Sequence, residues 1–194
     1  MKKEILLALA MLGICTMANA QCKKGNCENG TGTFNYGGGT TYTGQFVDGA
    51  PNGKGTLTFK DGQKYVGMFK DGLKEGNGTL TLPSGNKYVG EFKADKKNGK
   101  GTMTYSNGDV YTGMFKDGKE GGQGTMKYKN GDVYTGMFKN GLPNGNGTIT
   151  YANGVKKTGT FVDGVYFDKV SNGGAKKAPA KKPVNKTAKP AAKK

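Results

Sequence analysis

Tyr42-Thr43-Gly44-Gln45-Phe46, a turn, Gly53-Lys54-Gly55-Thr56-Leu57-Thr58-Phe59 and a second turn through Lys60-Asp61-Gly62 make a 23-residue unit. It returns without a gap at Tyr65, Tyr88, Tyr111 and Tyr134. A fixed period of this length is the signature of a repeat architecture. Each unit holds two short runs of alternating apolar and polar residues separated by turn residues, which is one β-hairpin. One hairpin cannot bury its apolar face alone, so the units must stack on one another.

Parity assigns the faces. Tyr42, Gly44 and Phe46 share one side of the first strand, and Gly55, Leu57 and Phe59 share one side of the second. Thr43, Gln45, Thr56 and Thr58 take the other, Thr-rich side. Slipping the register by one residue would send every apolar side chain to the wrong face, so the turns are constrained as well. The connection between units must hold an odd number of residues if Leu57 is to sit beside Tyr65. A three-residue loop ending in left-handed glycine meets this and places a glycine there in all five units. The second turn, Val47 to Lys54, reads as longer and even. It is also where the units differ, carrying Pro51, Pro143, Lys74-Glu75, Lys96-Lys97, Lys119-Glu120 and, at Asp95, a missing glycine. Variation on one edge of a solenoid marks either the side that meets partners or the side that tolerates change. Glycines between Tyr and Phe leave gaps that rings from adjacent strands can fill, so the aromatic ladder reads as core.

Half units bracket the array at Asn29 to Tyr36 and Thr158 to Gly164. With ten strands between them the expectation is twelve strands, a rod of roughly 50 to 55 Å at about 4.8 Å per strand. The fold class is therefore all-β, an elongated single-sheet solenoid of stacked antiparallel β-hairpins. The divisions are 1–20 leader, 21–41 N-terminal half repeat, 42–156 five repeats, 157–170 C-terminal half repeat and 171–194 tail.

Residues 1–20 have the pattern of a secretory signal: Lys2 and Lys3, an apolar stretch from Ile5 to about Met17, and Ala18-Asn19-Ala20 before the cut. Export to the periplasm, outer envelope or exterior leaves Cys22 and Cys27 as an even pair in an oxidising compartment, which reads as a disulfide. It would close a six-residue loop, worth about 2 kcal/mol in the chain-entropy picture. With no histidine and no second cysteine pair, neither metal nor cofactor is expected.

Formal charge is +16 with no arginine. Residues 171–194 hold eight lysines and no acid, namely Lys176, Lys177, Lys181, Lys182, Lys186, Lys189, Lys193 and Lys194. The segment lacks aromatic residues and is rich in Ala, Lys and Pro, the composition of a disordered arm. These lysines are the candidate contacts for an anionic lipid or cell-wall polymer, or else a solvated spacer. Binding nucleic acid without sequence preference is the alternative reading of the same tail. Against it stand the absence of arginine and the leader. An enzyme is not expected. Histidine is absent, and Asp48, Asp61, Asp109, Asp132 and Asp163 recur where turn chemistry accounts for them.

The pattern Tyr-x-Gly-x-Phe, Asp/Asn-Gly and Asn-Gly-x-Gly-Thr-x-Thr-Tyr at a 23-residue period over residues 27–164 resembles the MORN (membrane occupation and recognition nexus) repeat. The cysteine-bearing half unit behind a leader is similar to exported bacterial members. The resemblance implies an elongated scaffold for protein contacts and homodimerisation, with membrane or phospholipid binding in some members. Phe46 and its equivalents stand where many members have Trp, and any ligand contact of that ring does not carry over.

Overall fold

A computed structural model describes residues 20–168 of the chain; the leader through Asn19 and the lysine tail lie outside them. Fourteen strands form one antiparallel sheet in strict chain order. They are β1 (Gln21–Gly25), β2 (Gly30–Gly37), β3 (Thr40–Val47), β4 (Ala50–Thr58), β5 (Lys64–Lys70), β6 (Leu73–Thr81) and β7 (Lys87–Lys93), followed by β8 (Lys96–Thr104), β9 (Val110–Lys116), β10 (Lys119–Lys127), β11 (Val133–Lys139), β12 (Leu142–Thr150), β13 (Lys156–Val162) and β14 (Val165–Asp168). The expected twelve become fourteen because the cysteine segment adds β1 and the chain after Gly164 adds β14. Thirteen spacings of about 4.8 Å give roughly 60 Å across the strands.

The odd, three-residue loop is present in every full unit. In the first, Phe59 N–H donates to Gln63 O and Gly62 N–H to Phe59 O, both near 3 Å. Gly62 has φ +87°, a type I turn closed by a left-handed residue. Neighbouring loops are tied through one side chain. Asn86 Oδ1, Asp109 Oδ1 and Asp132 Oδ1 accept from the N–H of Ser106, Lys129 and Ala152, each twenty residues on, at 2.8 to 2.9 Å. In the first unit that side chain is Gln63, and the residue twenty further on is Pro83, which has no N–H to give.

The other turn differs from the sequence reading. It is not a long loop from Val47 to Lys54 but a two-residue turn followed by a bulge. Val47 pairs with Ala50 across Asp48-Gly49, whose φ values of 48° and 75° define type I′. The ladder then runs from Phe46 opposite Pro51 to Gly44 opposite Gly55. Gln45 thus faces three residues, Asn52, Gly53 and Lys54. Two plus two extra residues keep the parity even, so the apolar faces still coincide. The turns stack as well, Gly72 N–H donating to Pro51 O and Gly118 N–H to Lys97 O at 2.9 Å.

The third unit makes this turn with Ala94 and Asp95 at φ 46° and 67°, where the other full units have Asp or Asn followed by Gly. An alanine in the left-handed region costs about 1 kcal/mol, a penalty that asparagine largely avoids. Ala94→Asn is therefore expected to raise stability by about 0.5–1 kcal/mol, read as a higher urea midpoint at unchanged slope. A lower midpoint would contradict the type I′ assignment.

One face of the sheet is the core. Tyr42, Tyr65, Tyr88, Tyr111 and Tyr134 are at most 1% exposed. The glycine gap is filled by the strand's own tyrosine and not by a ring from a neighbour. The ring lies back over the glycine two residues on and over that glycine's cross-strand partner, and its hydroxyl donates to the carbonyl of residue i+3. For Tyr42 the acceptor is Gln45 O at 2.9 Å, and the other four bonds run from 2.8 to 3.0 Å. The acceptor is the residue opposite the bulge, whose ladder the extra residues interrupt. Tyrosine and phenylalanine then alternate edge to face along the sheet, from Tyr42–Phe46 at 5.0 Å to Tyr134–Phe161 at 4.6 Å. Each such pair is worth about 0.5–1.5 kcal/mol beyond burial.

Candidate functional site

Cys22 and Cys27 are bonded to each other, with Cα atoms 5.9 Å apart. The bridge ties β1 to the turn before β2, and Cys27, Phe34 and Tyr36 are partly buried against the core. Asn26 Oδ1 shapes that turn by accepting from the N–H groups of Glu28 and Asn29 at 2.9 Å. Tyr166 covers the ladder's C-terminal end, 5.4 Å from Phe161. The eight tail lysines read as anionic-surface contacts, Lys176 to Lys194, lie outside the described residues.

The variable edge divides into two environments that the reading of a long turn could not separate. Pro51, Lys74, Lys97, Glu120 and Pro143 are each paired across the strand with a core phenylalanine, and so they lie over the ring ladder as its cover. The aliphatic stems of the lysines provide this cover while their ammonium groups sit on ring faces. Lys74 Nζ stands 5.9 Å from the Tyr65 ring and 3.0 Å from Asp95 Oδ1. Lys97 Nζ stands 5.5 Å and 5.2 Å from the Tyr88 and Phe115 rings. Burial pulls the Lys97 ammonium below the usual lysine range, and the Glu120 carboxylate partly opposes this. Glu120 is 8% exposed and accepts from the Tyr105 hydroxyl. Burial first, and then Glu120, push that hydroxyl well above the ordinary tyrosine range. Among the described residues no fully buried side-chain nitrogen or oxygen lacks a hydrogen-bond partner, which suits a satisfied cover over the core.

The residues beside this column turn the other way. Lys93 is paired with Lys96 and Lys116 with Lys119, on the face opposite the rings, where all four are exposed. Further along the strands that face carries paired threonines together with the exposed Met68, Met114 and Met137. Thr33–Thr43, Thr102–Thr112, Thr125–Thr135 and Thr148–Thr158 hydroxyls meet across strands at 2.7 to 3.2 Å. Glu91 reads from the sequence as the one acid inside a strand; Glu75 in β6 and Glu120 in β10 join it there once the bulged strands are in place. Glu91 lies on this face. Its Oε1 accepts from Lys100 N–H at 3.0 Å, as Gln45 Oε1 accepts from Lys54 N–H in the first unit at 2.7 Å. Among the described residues no group of three or more Cys, Asp or Glu side chains is placed to hold a metal ion.

The sequence pattern of the family described as MORN repeat matches residues 42–64, 65–87, 88–110, 111–133 and 134–156. No curated protein matches the chain. Among solved structures it is similar to the SAS-4 (dCPAP) TCP domain of Drosophila melanogaster in complex with a proline-rich motif of Ana2 (dSTIL). That likeness has TM-score 0.44 and 11% identity, covering 68% of this chain and 72% of that one. The TCP10 domain of Danio rerio CPAP in complex with a peptide of STIL gives TM-score 0.43 and 14% identity over 67% of this chain and 58% of that one. The TCP10c domain of Drosophila melanogaster Sas-4 gives TM-score 0.37 and 10% identity over 74% and 100%.

Proposed function

This chain belongs to the MORN repeat family, and on that premise we propose that it is a non-catalytic protein-interaction scaffold of the cell envelope whose lysine tail tethers it to an anionic lipid or cell-wall polymer. The observation that carries the scaffold reading is the fate of the repeated side chains. Tyrosine, phenylalanine and the paired glycines are all consumed by the core, so the surface left to meet a partner is the outer face and the two ends of the sheet. Export is supported by the pattern of residues 1–20 and by the Cys22–Cys27 bond, which persists where thiols are oxidised. The tether is supported by eight lysines without one acid in residues 171–194, each worth about 1 kcal/mol beside an anionic surface at low salt.

Sedimentation with phosphatidylglycerol vesicles and with cell-wall polymer tests the tether. At low salt the full chain is expected to sediment, and a chain ending at Val170 to lose most of that binding; high salt should release the full chain in the same way. Equal sedimentation of the two chains would remove the tether and leave the scaffold reading to cross-linking against envelope proteins.

A further inference from the structure

We infer that the outer face of the sheet carries a binding row for a flexible linear phosphate polymer, formed by Lys70, Lys93, Lys96, Lys116, Lys119 and Lys139. All six are exposed and point away from the ring ladder. Cross-strand pairing puts Lys93 opposite Lys96 and Lys116 opposite Lys119. From β7 through β11 each strand carries one of these lysines. Those of β7 to β10 form two directly opposed pairs set out of register with each other by the bulge, since Gly99 and not Lys96 faces the Phe115 end of β9. Lys70 extends the row two strands further.

Like charges directly opposite each other destabilise a sheet, and this row sets two such pairs side by side. The nearby acids offset it only in part: Asp95 is paired with Lys74, while Asp71 and Glu75, hydrogen-bonded to neutral groups, keep their charge. Asp71 Oδ1 is engaged by Asn52 Nδ2 at 3.2 Å, Asp95 Oδ1 by Lys74 at 3.0 Å, and Glu75 Oε2 by the Ala94 N–H at 3.0 Å. Asp117 reaches Lys96 only at 3.9 Å, both side chains being about two-thirds exposed. Glu91, on the outward side of β7, is held against Lys100 N–H. A polyanion lying along the row relieves the repulsion and gains one charge contact per strand.

The chemistry of the row selects the partner. Lysines act as point charges that suit phosphate without the planar, two-pronged geometry that arginine imposes. Over β5 to β11 no aromatic side chain points to this face, so there is no platform on which bases could stack. The row is one lysine wide and winds with the sheet, whose neighbouring strands turn by roughly 20°, which a flexible chain can follow and a plane of headgroups cannot. A second copy of the same face would be repelled. The inference stands apart from the tail and from the scaffold reading.

Binding of long-chain inorganic polyphosphate to the full chain tests it, against a variant with Lys93, Lys96, Lys116 and Lys119 all changed to Gln and against a chain lacking residues 171–194. The Gln variant is expected to bind more weakly by on the order of 100-fold at low salt, and the slope of log affinity on log salt is expected to fall by about 3. The tail-less chain should keep binding that the same four changes abolish. Without polymer the Gln variant should melt no lower than the parent, and polyphosphate should raise the melting temperature of the parent more. Equal affinity of parent and Gln variant would overturn the row, as would loss of all binding with the tail alone. Tighter, equally lysine-dependent binding to phosphatidylglycerol vesicles than to polyphosphate would overturn the polymer in favour of a membrane.

Discussion

Gly90→Ala is expected to destabilise the array by about 3 kcal/mol or more, whereas Gly121→Ala, one unit and a half away, should change it by less than about 0.5 kcal/mol. Gly90 belongs to the row of glycines that face one another across successive strands, pairing with Gly78 on one side and Gly101 on the other. A methyl group there would stand 2.5 Å from Gly101 Cα and from the Tyr88 hydroxyl oxygen, and 2.6 Å from Lys100 O. Two of the three are backbone atoms and cannot yield by side-chain motion. Relief needs both a wider spacing of β7 from β8 and a lifting of the Tyr88 ring, which is 1% exposed. That movement breaks its bond to Glu91 O and its edge contacts with Phe92 at 5.1 Å and Phe115 at 4.8 Å. Because each repeat touches only its neighbours, a fault between β7 and β8 also uncouples the two halves of the array. Urea unfolding should therefore lose cooperativity as well as midpoint. At Gly121 the nearest atom to a new methyl group is Lys116 Cβ at 3.6 Å, ordinary contact, and its equivalents in other units already carry side chains. Circular dichroism and tyrosine fluorescence during urea unfolding give the comparison. A Gly90→Ala protein within about 1 kcal/mol of the parent would refute the ring-over-glycine packing.

How much of this was open to a reader of the sequence depended on whether a feature repeats with strand parity. The inward rings, the Thr-rich outer face and the three-residue loop follow from the period and from the cost of a one-residue slip. The bulge did not follow. Asp48-Gly49 and Asn52-Gly53 are both turn signals, and two such signals so close together look like one long loop until pairing shows that only the first reverses the chain. The same merger hid the division of Lys96-Lys97 and Lys119-Glu120, where one residue of each pair faces solvent and the other covers the rings. It also hid the lysine row. Phe69-Lys70, Phe92-Lys93, Phe115-Lys116 and Phe138-Lys139 recur visibly, but their juxtaposition with Lys96 and Lys119 needs the two-residue turn. Strand β1, Gln-Cys-Lys-Lys-Gly, is exposed throughout and has no apolar alternation to announce it. It exists because β2 offers an open edge and the Cys22–Cys27 bond holds it there.

The array is expected to stay folded to about pH 10 and to unfold in one cooperative step between about pH 11 and 12. The hydroxyls of Tyr42, Tyr65, Tyr88 and Tyr134 are each pushed up from 10 to about 12, chiefly by burial. For Tyr65 the nearby Asp95, and for Tyr88 the nearby Glu91, add to the rise. A folded-state value above the unfolded one means that the fold prefers the neutral phenol. Its contribution is therefore complete below pH 10 and is lost as pH climbs through 12. A tenfold difference in proton affinity between folded and unfolded chain corresponds to about 1.4 kcal/mol. A roughly hundredfold difference at each of these four rings therefore contributes at most about 11 kcal/mol, comparable with the whole stability of a typical domain. Ionisation and unfolding should therefore coincide, with phenolate absorbance rising more steeply than independent groups allow and over the same interval as the loss of sheet dichroism. Gradual phenolate formation near pH 10 with an intact sheet signal would show that the rings are not held as described. Tyr88→Phe separates packing from charge. It forfeits the hydrogen bond to Glu91 O, about 1 kcal/mol at neutral pH, yet removes one ionising group, so its loss of stability between pH 7 and pH 11 should be shallower than the parent's. A change that merely loosened the fold would lower both limbs alike.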